Sequence, residues 1–276
     1  MRTKTAETES IELRLLVEAI FQRYHYDFRG YSIASLKRRL VQARDSFGCE
    51  SFSALQERVL HDSAMLPKLL GFLTVQVSEM FRDPSFFKTL REEVVPHLKT
   101  YPSLKVWIAG CSAGEELYSL AILFREEGLE ARTMFYATDI NTEALRKAEA
   151  GVYALDRVAL FTANHRESGG KSSLSDYYTA AYGNAMFDKS LRQRTVFSDH
   201  SLASDAVFAE VQLVCCRNVL IYFDRGLQDR AVGLFKDSLV RKGFLGLGAK
   251  ESLHFSAHTR DFTEFARAER IYQKGG

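Results

Sequence analysis

The chain lacks the cysteine pattern and the long apolar runs that mark several classes of protein. No C-x-x-C pair and no framework spacing connects its four cysteines, which are Cys49, Cys111, Cys215 and Cys216. Neither a disulfide framework nor a zinc cluster is therefore indicated. No apolar run approaches the roughly 20 residues that span a bilayer, and residues 1–10 contain no apolar signal core. We expect a soluble, cytoplasmic protein without direct membrane insertion.

The chain also has little net charge and no phosphate-binding motif. The formal net charge is only +2, and no basic module with interleaved aromatic residues occurs, so nucleic acid is not an expected partner. The absence of G-x-x-x-x-G-K-[ST] and of G-x-G-x-x-G argues against nucleoside triphosphates and NAD. His254 and His258 are four residues apart, but neither an H-E-x-x-H motif nor a third ligand accompanies them. We therefore predict no metal site.

The first third of the chain has helical periodicity and no convincing strand. On the first helix, one face should carry Ile11, Leu15, Leu16, Ala19 and Ile20. Further helices are predicted from Ser32 or Ser35 to Gly48, from Ser53 through Leu60, from Pro67 to about Val77, and from Pro84 to about Leu98. These patterns predict a flexible N-terminus (1–10), a helical domain (11–82) and a linker helix (83–102).

After Pro102 the pattern alternates between short apolar strands and amphipathic helices. The strand candidates are LKVWIAG, TMFYATDI, RTVFSDH, AEVQLVCCRN and GFLGLGAK, and ARAERIYQKGG could supply a last one. Such alternation is typical of an α/β fold with a mostly parallel, Rossmann-like sheet, here over residues 103–276. The polar, tyrosine-rich segment 157–196 interrupts the alternation and is predicted to be an inserted β-subdomain with short antiparallel strands.

Two local features indicate a nucleoside cofactor. Gly110 and Gly114 flank a tight turn between a strand and a helix, where glycine lets a ligand approach the backbone. Asp139 ends the second strand candidate, in the place where nucleotide-binding folds put an acid against ribose hydroxyls. Asp139 could alternatively cap the next helix, a role that Asn141 could fill equally well. Later, Asn218 and Tyr222 follow a buried strand and could face a ligand.

A serine hydrolase is a remote alternative. Residues 110–114 read G-C-S-A-G, which matches the G-x-S-x-G nucleophile elbow. Ser112, an acid such as Asp205 or Asp224, and His254 would follow the required chain order. However, the elbow normally follows several strands, whereas the upstream sequence is helical and has no HGGG-like segment.

Several segments taken together resemble the chemotaxis receptor methyltransferase family, usually called CheR. They are VQVSEMFRDPSFF, VWIAGCSAGEELYSLAI, YATDINTEALRKAEAGVY, CRNVLIYFD and GFLGLGAKESL, in order over about residues 11–272. The resemblance implies methyl esterification of glutamate side chains on the cytoplasmic helices of methyl-accepting chemoreceptors, with S-adenosylmethionine as cofactor and S-adenosylhomocysteine as product. A monomer is expected.

The resemblance also implies a set of site residues. Those expected around the cofactor are Gln76, Ser78, Arg82, Gly110, Gly114, Glu115, Asp139, Ser201, Leu202, Arg217 and Asn218. Arg82 would lie near the carboxylate end of the cofactor, and Tyr222 near the transferred methyl group, so these two are the expected catalytic residues. A basic helix face with Lys37, Arg38, Arg39 and Arg44 could steer an acidic receptor helix.

Several positions depart from the family pattern. Gln76 replaces the usual Asn, Ser78 the Thr, Ser201 an Asn and Leu117 a Pro, while Ala113 and Lys250 stand where Thr and Ser are common. Most of these replacements keep polarity, so binding of the cofactor is expected to survive. A catalytically weak S-adenosylmethionine-binding regulator or scaffold remains an alternative to an active enzyme.

Overall fold

The N-terminal part of the chain is a bundle of four helices. The computed structural model describes residues 2–74 and 78–275. The helices of the bundle are α1 (Arg2–Tyr24), α2 (Ile33–Ser46), α3 (Phe52–His61) and α4 (Met65–Leu73). They surround an apolar core of their own, to which α1 contributes Leu13, Leu16, Val17 and Ile20. This spacing of three, four and seven residues is that of a helix with one buried stripe.

The structure corrects three details of the predicted bundle. Ile11 and Leu15 lie outside the buried stripe, and Leu15 is 55% exposed, because the stripe runs through Leu13 instead. The third helix is capped by Ser51, whose side chain accepts a hydrogen bond from Ala54 N at 3.0 Å, and not by Ser53. The fourth helix already begins at Met65, and its predicted end at Val77 lies outside the described residues.

Two short helices joined by a π-helical turn lead into the larger part of the chain, which contains the main sheet. They are α5 (Pro84–Thr89) and α6 (Val95–Leu98), with the π-helical turn at Leu90–Val94. The elements that follow are β1 (Leu104–Ala109), α7 (Glu115–Glu126), β2 (Thr133–Asp139), α8 (Thr142–Ala150), β3 (Val152–Ala154), α9 (Val158–Glu167), β4 (Tyr178–Ala181), β5 (Asn184–Phe187), β6 (Thr195–Asp199), β7 (Val211–Cys216), α10 (Arg225–Ser238), β8 (Leu239–Leu247), β9 (Phe262–Ala266) and β10 (Ile271–Lys274).

A seven-stranded sheet forms the centre of this larger part, in the order β6-β2-β1-β7-β8-β10-β9. The first five strands of this order, β6 to β8, are parallel to one another. The strand β10 is antiparallel to both β8 and β9. The strand order reverses between β1 and β7, and in open α/β sheets the ligand binds at such a reversal, outside the carboxyl ends of the strands. The sequence predicted β10 as the last strand but missed its hairpin partner β9.

The larger part also contains a small three-stranded antiparallel sheet, in the order β3-β5-β4. Its first strand starts at Val152, before the predicted insertion at 157–196. The insertion also contains the helix α9, which the sequence did not predict because its polar residues obscured the helical pattern. α9 buries Val158 and Phe161 against the main core.

A buried ionic cluster connects the linker, α7 and α9. The Arg91 guanidinium lies 2.7 Å from Glu126 and 2.9 Å from Glu127, and the His165 imidazole lies 3.0 Å from Glu126. Lys171 adds an ion pair to Glu127 at 2.7 Å and a backbone N–H to Glu126 at 3.1 Å. Both glutamates are nearly fully buried, so each depends on these partners to remain charged.

We expect Glu126→Gln to lower the free energy of unfolding by about 3 kcal/mol at pH 7, because it leaves buried cations without their counter-charge. Burial alone would raise the pKa of Glu126, but hydrogen bonds from His165 and Arg91 outweigh it and lower the pKa to about 2. The carboxylate thus stabilises the fold above its ordinary pKa of 4.5, and this contribution is lost as the pH falls towards 2.

Urea unfolding followed at several pH values measures both effects. The variant should be less stable at pH 7, and its stability should change less than that of the wild type between pH 5 and 3. The exposed Glu143→Gln serves as the control and should behave like the wild type. Equal acid sensitivity of Glu126→Gln and the wild type would contradict the role assigned to this carboxylate.

Candidate functional site

A cleft lies at the carboxyl ends of β1, β2 and β7, where the helical bundle covers the sheet. Both parts of the chain line it. The lining residues are Tyr31, Arg39, Leu73, Thr74, Ser78, Arg82, Gly110, Cys111, Ser112, Glu116, Asp139, Ile140, His200, Leu202, Arg217, Asn218, Val219, Tyr222 and Phe223. The cleft thus occupies the position at which this type of sheet binds its ligand.

The turn after β1 forms the floor of the cleft. Gly110 has a φ of 75°, and a Cβ there would lie 2.5 Å from a methyl group of Val219, so a side chain at this position would both strain the backbone and collide. Gly114 has a φ of 94°, but its missing side chain makes room for Ala148, at 2.9 Å, outside the cleft lining. Of the two predicted glycines, only Gly110 therefore borders the ligand space.

Asp139 joins the two loops beside this floor. Its carboxylate accepts one backbone hydrogen bond from Ser112 at 2.9 Å and another from Asn141 at 2.9 Å. Burial raises the pKa of Asp139, and the backbone N–H groups partly offset this. The helix α8 is capped by Asn141, whose side chain accepts from Glu143 N at 3.0 Å. Asp139 therefore does not cap the helix, and its carboxylate borders the cleft.

The acid at the start of α7 that lines the cleft is Glu116 and not the predicted Glu115. Glu115 is fully buried and pairs with Arg157 at 3.0 Å, away from the cleft lining. Glu116 has one carboxylate oxygen 3.3 Å from Arg217 and a second, Oε1, without a hydrogen-bond partner in the described part of the chain. Burial raises the pKa of Glu116, and Arg217 counteracts this. Adjacent residues on a helix point about 100° apart, so only one of the pair can face a ligand.

Arg217 fixes several parts of the cleft to one another. Its guanidinium also pairs with Asp83 at 2.7 Å, donates to the Arg82 carbonyl at 2.8 Å and lies 4.1 Å from the centroid of the Phe86 ring. It therefore ties the end of β7 to α7 and to the segment before α5. The Arg82 side chain borders the same space and forms no ion pair with the described residues.

The helical bundle supplies the opposite wall. Arg39, only 5% exposed, donates to the Leu73 carbonyl, and its guanidinium lies 4.3 Å from the centroid of the Tyr222 ring. Its Nη2 atom has no hydrogen-bond partner among the described residues. Burial lowers the pKa of this guanidinium. A buried cation and a tyrosine hydroxyl thus share one side of the cleft.

The predicted basic helix face is wrong for Arg39, which is buried in the cleft because it faces the sheet and not solvent. Lys37 and Arg44 are engaged with Glu9 of α1, at 2.5 and 3.6 Å. Arg38 is exposed and forms no ion pair in the part of the chain that the structure describes. A role for Arg38 in steering a receptor stays a prediction.

Backbone contacts hold the bundle against the cleft. Tyr31 forms an isolated antiparallel bridge with Phe223, and their rings are in edge contact with centroids 4.9 Å apart. Ser32 N donates to the Tyr222 carbonyl at 2.8 Å. The segment that carries Tyr222 is therefore fixed directly to the start of α2, which leads to Arg39.

The structure brings most of the predicted site residues together. Those that line the cleft are Ser78, Arg82, Gly110, Asp139, Leu202, Arg217, Asn218 and Tyr222. Ser201 does not line it, because its N–H and Oγ bond to Asp205 and Ala203 within its own turn. Gln76 lies outside the described residues. The sequence missed Tyr31, Thr74, Glu116 and His200, and it placed Arg39 on an exposed receptor-binding face instead of in the cleft. Nothing in the local pattern of Tyr31, Arg39 or Thr74 shows that the bundle folds over the sheet.

The structure does not assemble the triad of the hydrolase alternative. Asp205 accepts from Ser201 N at 2.8 Å, and Asp224 caps α10 through Leu227 N at 2.9 Å. His254 is exposed outside the cleft lining, with Glu264 4.0 Å from its Nε2.

No group of three potential metal-ligating side chains occurs among residues 2–74 and 78–275. Within the same residues, no helix is long and apolar enough to cross a membrane.

The mostly parallel sheet with an antiparallel last hairpin, the glycine turn after β1 and the acid at the end of β2 fit a nucleoside-binding α/β fold, and a matching SAM-binding family model makes the protein an S-adenosylmethionine-dependent methyltransferase. Two family models match the chain: "CheR methyltransferase, all-alpha domain" over residues 11–74 and "CheR methyltransferase, SAM binding domain" over residues 76–270. The chain belongs to the CheR methyltransferase family. The second model also covers the segment that we predicted as a separate linker helix.

Full-length relatives agree with this membership. The chain is 58% identical over 264 residues to the Pseudomonas putida protein named "Putative methyltransferase Cher3", with 96% of this chain and 97% of that protein covered. It is 30% identical to a chemotaxis protein methyltransferase of Klebsiella aerogenes, with coverages of 94% and 88%. The corresponding protein of Salmonella typhimurium is 26% identical, with coverages of 98% and 92%.

Proposed function

We propose that the chain transfers the methyl group of S-adenosylmethionine to glutamate side chains on the cytoplasmic helices of methyl-accepting chemoreceptors. The observation that carries this proposal is the buried Arg39 guanidinium beside Tyr222, with one nitrogen left without a partner among the described residues. Burying an unpaired cation is costly, and an arriving carboxylate would remove that cost. Relatives named as chemotaxis protein methyltransferases support the choice of acceptor.

The polar groups of the cleft fit the three polar parts of S-adenosylmethionine. The Asp139 carboxylate would accept from the ribose hydroxyls, and Ile140 and Leu202 would form apolar walls for the adenine ring. Glu116, whose Oε1 is buried and unpartnered in the described part, would accept from the ammonium group. Arg82 would pair with the carboxylate of the cofactor. The ammonium and carboxylate groups of the cofactor would thus each meet an opposite charge on the chain.

The residues of the chain have mainly to position the acceptor. S-adenosylmethionine supplies a methyl group on a positively charged sulfur, which is already electrophilic. The acceptor glutamate has a reference pKa of about 4.3 and is ionised at neutral pH, so no general base is required. Arg39 and Tyr222 would hold one carboxylate oxygen in line with the methyl group, roughly 3–3.5 Å away. The oxygen gains the methyl group, and the sulfur keeps the bonding electron pair.

We expect Arg39→Met to lower kcat/KM for the receptor about 100-fold, equal to about 2.7 kcal/mol of lost transition-state stabilisation. The affinity for S-adenosylhomocysteine should stay within threefold of the wild type, because the proposed partner of Arg39 is the acceptor and not the cofactor. Tyr222→Phe should lose about tenfold in kcat. Steady-state methylation at varied receptor concentration measures these values.

Arg14→Met on the exposed face of α1 is a matched control and should retain wild-type kinetics. A further variant, Arg39→Lys, keeps the charge but not the planar fork and should recover part of the activity. Wild-type turnover by Arg39→Met would remove Arg39 from the acceptor site. An unchanged kcat for Tyr222→Phe would likewise remove the tyrosine hydroxyl.

The direct test of the proposed function is the chemistry of the product. The protein is incubated with methyl-tritiated S-adenosylmethionine and a purified cytoplasmic fragment of a methyl-accepting chemoreceptor. A glutamyl methyl ester is labile to base, so the label should be released as volatile methanol. Label that resists base would indicate a different acceptor group. Tight binding of S-adenosylhomocysteine with no transfer to any receptor fragment would favour the regulator or scaffold alternative.

A further inference from the structure

The turn that carries Tyr222 separates the cofactor cleft from a second groove. Val219 and Tyr222 line the cleft, whereas Leu220 and Ile221 of the same turn line a groove on its other side. The first two turns of α10 and the loop after β8 form the remaining walls of this groove. A segment lying in the groove would therefore pass next to the residue that we place at the acceptor carboxylate.

The free charges of the groove are positive. The carboxylates of its two acids are engaged by backbone N–H groups of other residues. Asp229 accepts from Ala257 N at 2.8 Å, and Glu251 accepts from Asn218 N at 2.9 Å. Arg225 and Lys250 are exposed, and neither forms an ion pair within the described residues. Lys250 is also one of the departures from the family pattern. The rim of the groove therefore favours an acidic partner.

The groove also exposes apolar surface that the fold does not use. Phe255 is 82% exposed and Ile221 is 38% exposed, although both side chains are large and apolar. The Arg225 guanidinium lies 5.3 Å from the centroid of the Phe255 ring. An exposed aromatic ring with an arginine beside it is a combination enriched at the centres of protein interfaces.

We propose that this groove docks an acidic amphipathic helix of the substrate protein, in the segment that flanks the acceptor glutamate. This proposal rests on the proposed function. An apolar residue of that helix packs on Phe255 and Ile221, and acidic residues three or four positions away, which lie about 5–6 Å apart on one helix face, pair with Arg225 and Lys250. The groove thereby sets which glutamate of the helix reaches the cleft.

Two variants test the groove without touching the cofactor cleft. The charge reversal Arg225→Glu/Lys250→Glu and the replacement Phe255→Ser should each raise KM for a chemoreceptor cytoplasmic fragment at least tenfold. The value of kcat and the affinity for S-adenosylhomocysteine should stay within twofold. The effect of the charge reversal should shrink between 50 and 500 mM salt, because salt screens exposed charges, whereas that of Phe255→Ser should persist.

Matched controls are Arg241→Glu and Leu160→Ser, which make the same kinds of change on exposed surface outside the groove lining and should leave KM unchanged. If the wild type methylates the fragment and both groove variants have wild-type KM, the groove proposal is wrong and the proposed function stands. If the wild type methylates no receptor fragment, the proposed function fails and the groove proposal fails with it. An increase in KM for the controls as large as that for the groove variants would also overturn it.

Discussion

Replacing Asp139 by alanine will lower the affinity for S-adenosylhomocysteine at least 100-fold. We propose that the carboxylate accepts from the ribose hydroxyls, and in the structure it accepts backbone hydrogen bonds from Ser112 and Asn141 at 2.9 Å each. The substitution thus removes contacts to the ligand and leaves two buried N–H groups unsatisfied, which costs about 1–3 kcal/mol for each group. A 100-fold loss corresponds to about 2.8 kcal/mol, within what these contacts can supply.

Equilibrium dialysis with labelled S-adenosylhomocysteine measures this loss. Asp139→Asn keeps one acceptor oxygen and should lose less affinity than the alanine variant. The control is Asp199→Ala, since Asp199 ends the neighbouring parallel strand in register with Asp139 but is exposed outside the cleft lining. Unaltered binding by a folded Asp139→Ala protein would show that the ligand does not use this carboxylate.

The second large effect is expected from Arg217→Met. The Arg217 guanidinium lies 3.3 Å from the Glu116 carboxylate and 2.7 Å from the Asp83 carboxylate. Removing it leaves both carboxylates without their counter-charge. Breaking a buried pair on one side typically costs about 3–5 kcal/mol. For a chain of this size, such a loss lowers the thermal midpoint by roughly 10 °C. Thermal unfolding followed by circular dichroism measures it.

A double-mutant cycle separates the lost pairing from the lost packing on Phe86. Adding Glu116→Gln to Arg217→Met removes the carboxylate charge that has lost its partner. The free energy of unfolding of the double variant should therefore exceed the value expected from adding the two single losses by about 1–3 kcal/mol. Arg241→Met, on exposed surface, is the control. Strict additivity of the two changes would mean that the Arg217–Glu116 contact contributes no coupling energy.

The floor of the cleft could be predicted from sequence because its determinants are local. Gly110 and Asp139 each follow a buried strand of a parallel sheet, and strands of such a sheet end on the same side. Their apposition therefore needs no knowledge of distant contacts. Tyr222 was found in the same way, because it follows β7.

The opposite wall of the cleft could not be predicted, because it depends on how the helical bundle packs against the sheet, and each of these parts has its own hydrophobic core. Arg39 belongs to a basic stretch that resembles an exposed helix face, and only long-range contacts such as that of Tyr31 with Phe223 show that this side of α2 covers the cleft. The choice between Glu115 and Glu116 depends on the rotation of α7 about its axis. The periodicity of the sequence does not fix this rotation to within one residue.

A calorimetric titration of the purified protein with S-adenosylhomocysteine tests most directly whether the cleft binds this cofactor. We expect a single site with micromolar affinity, about −8 kcal/mol, and competition by S-adenosylmethionine for the same site. A folded protein that releases no heat and shows no competition would contradict the assignment of the cleft to this cofactor. The methyl-transfer proposals built on that assignment would then fall with it.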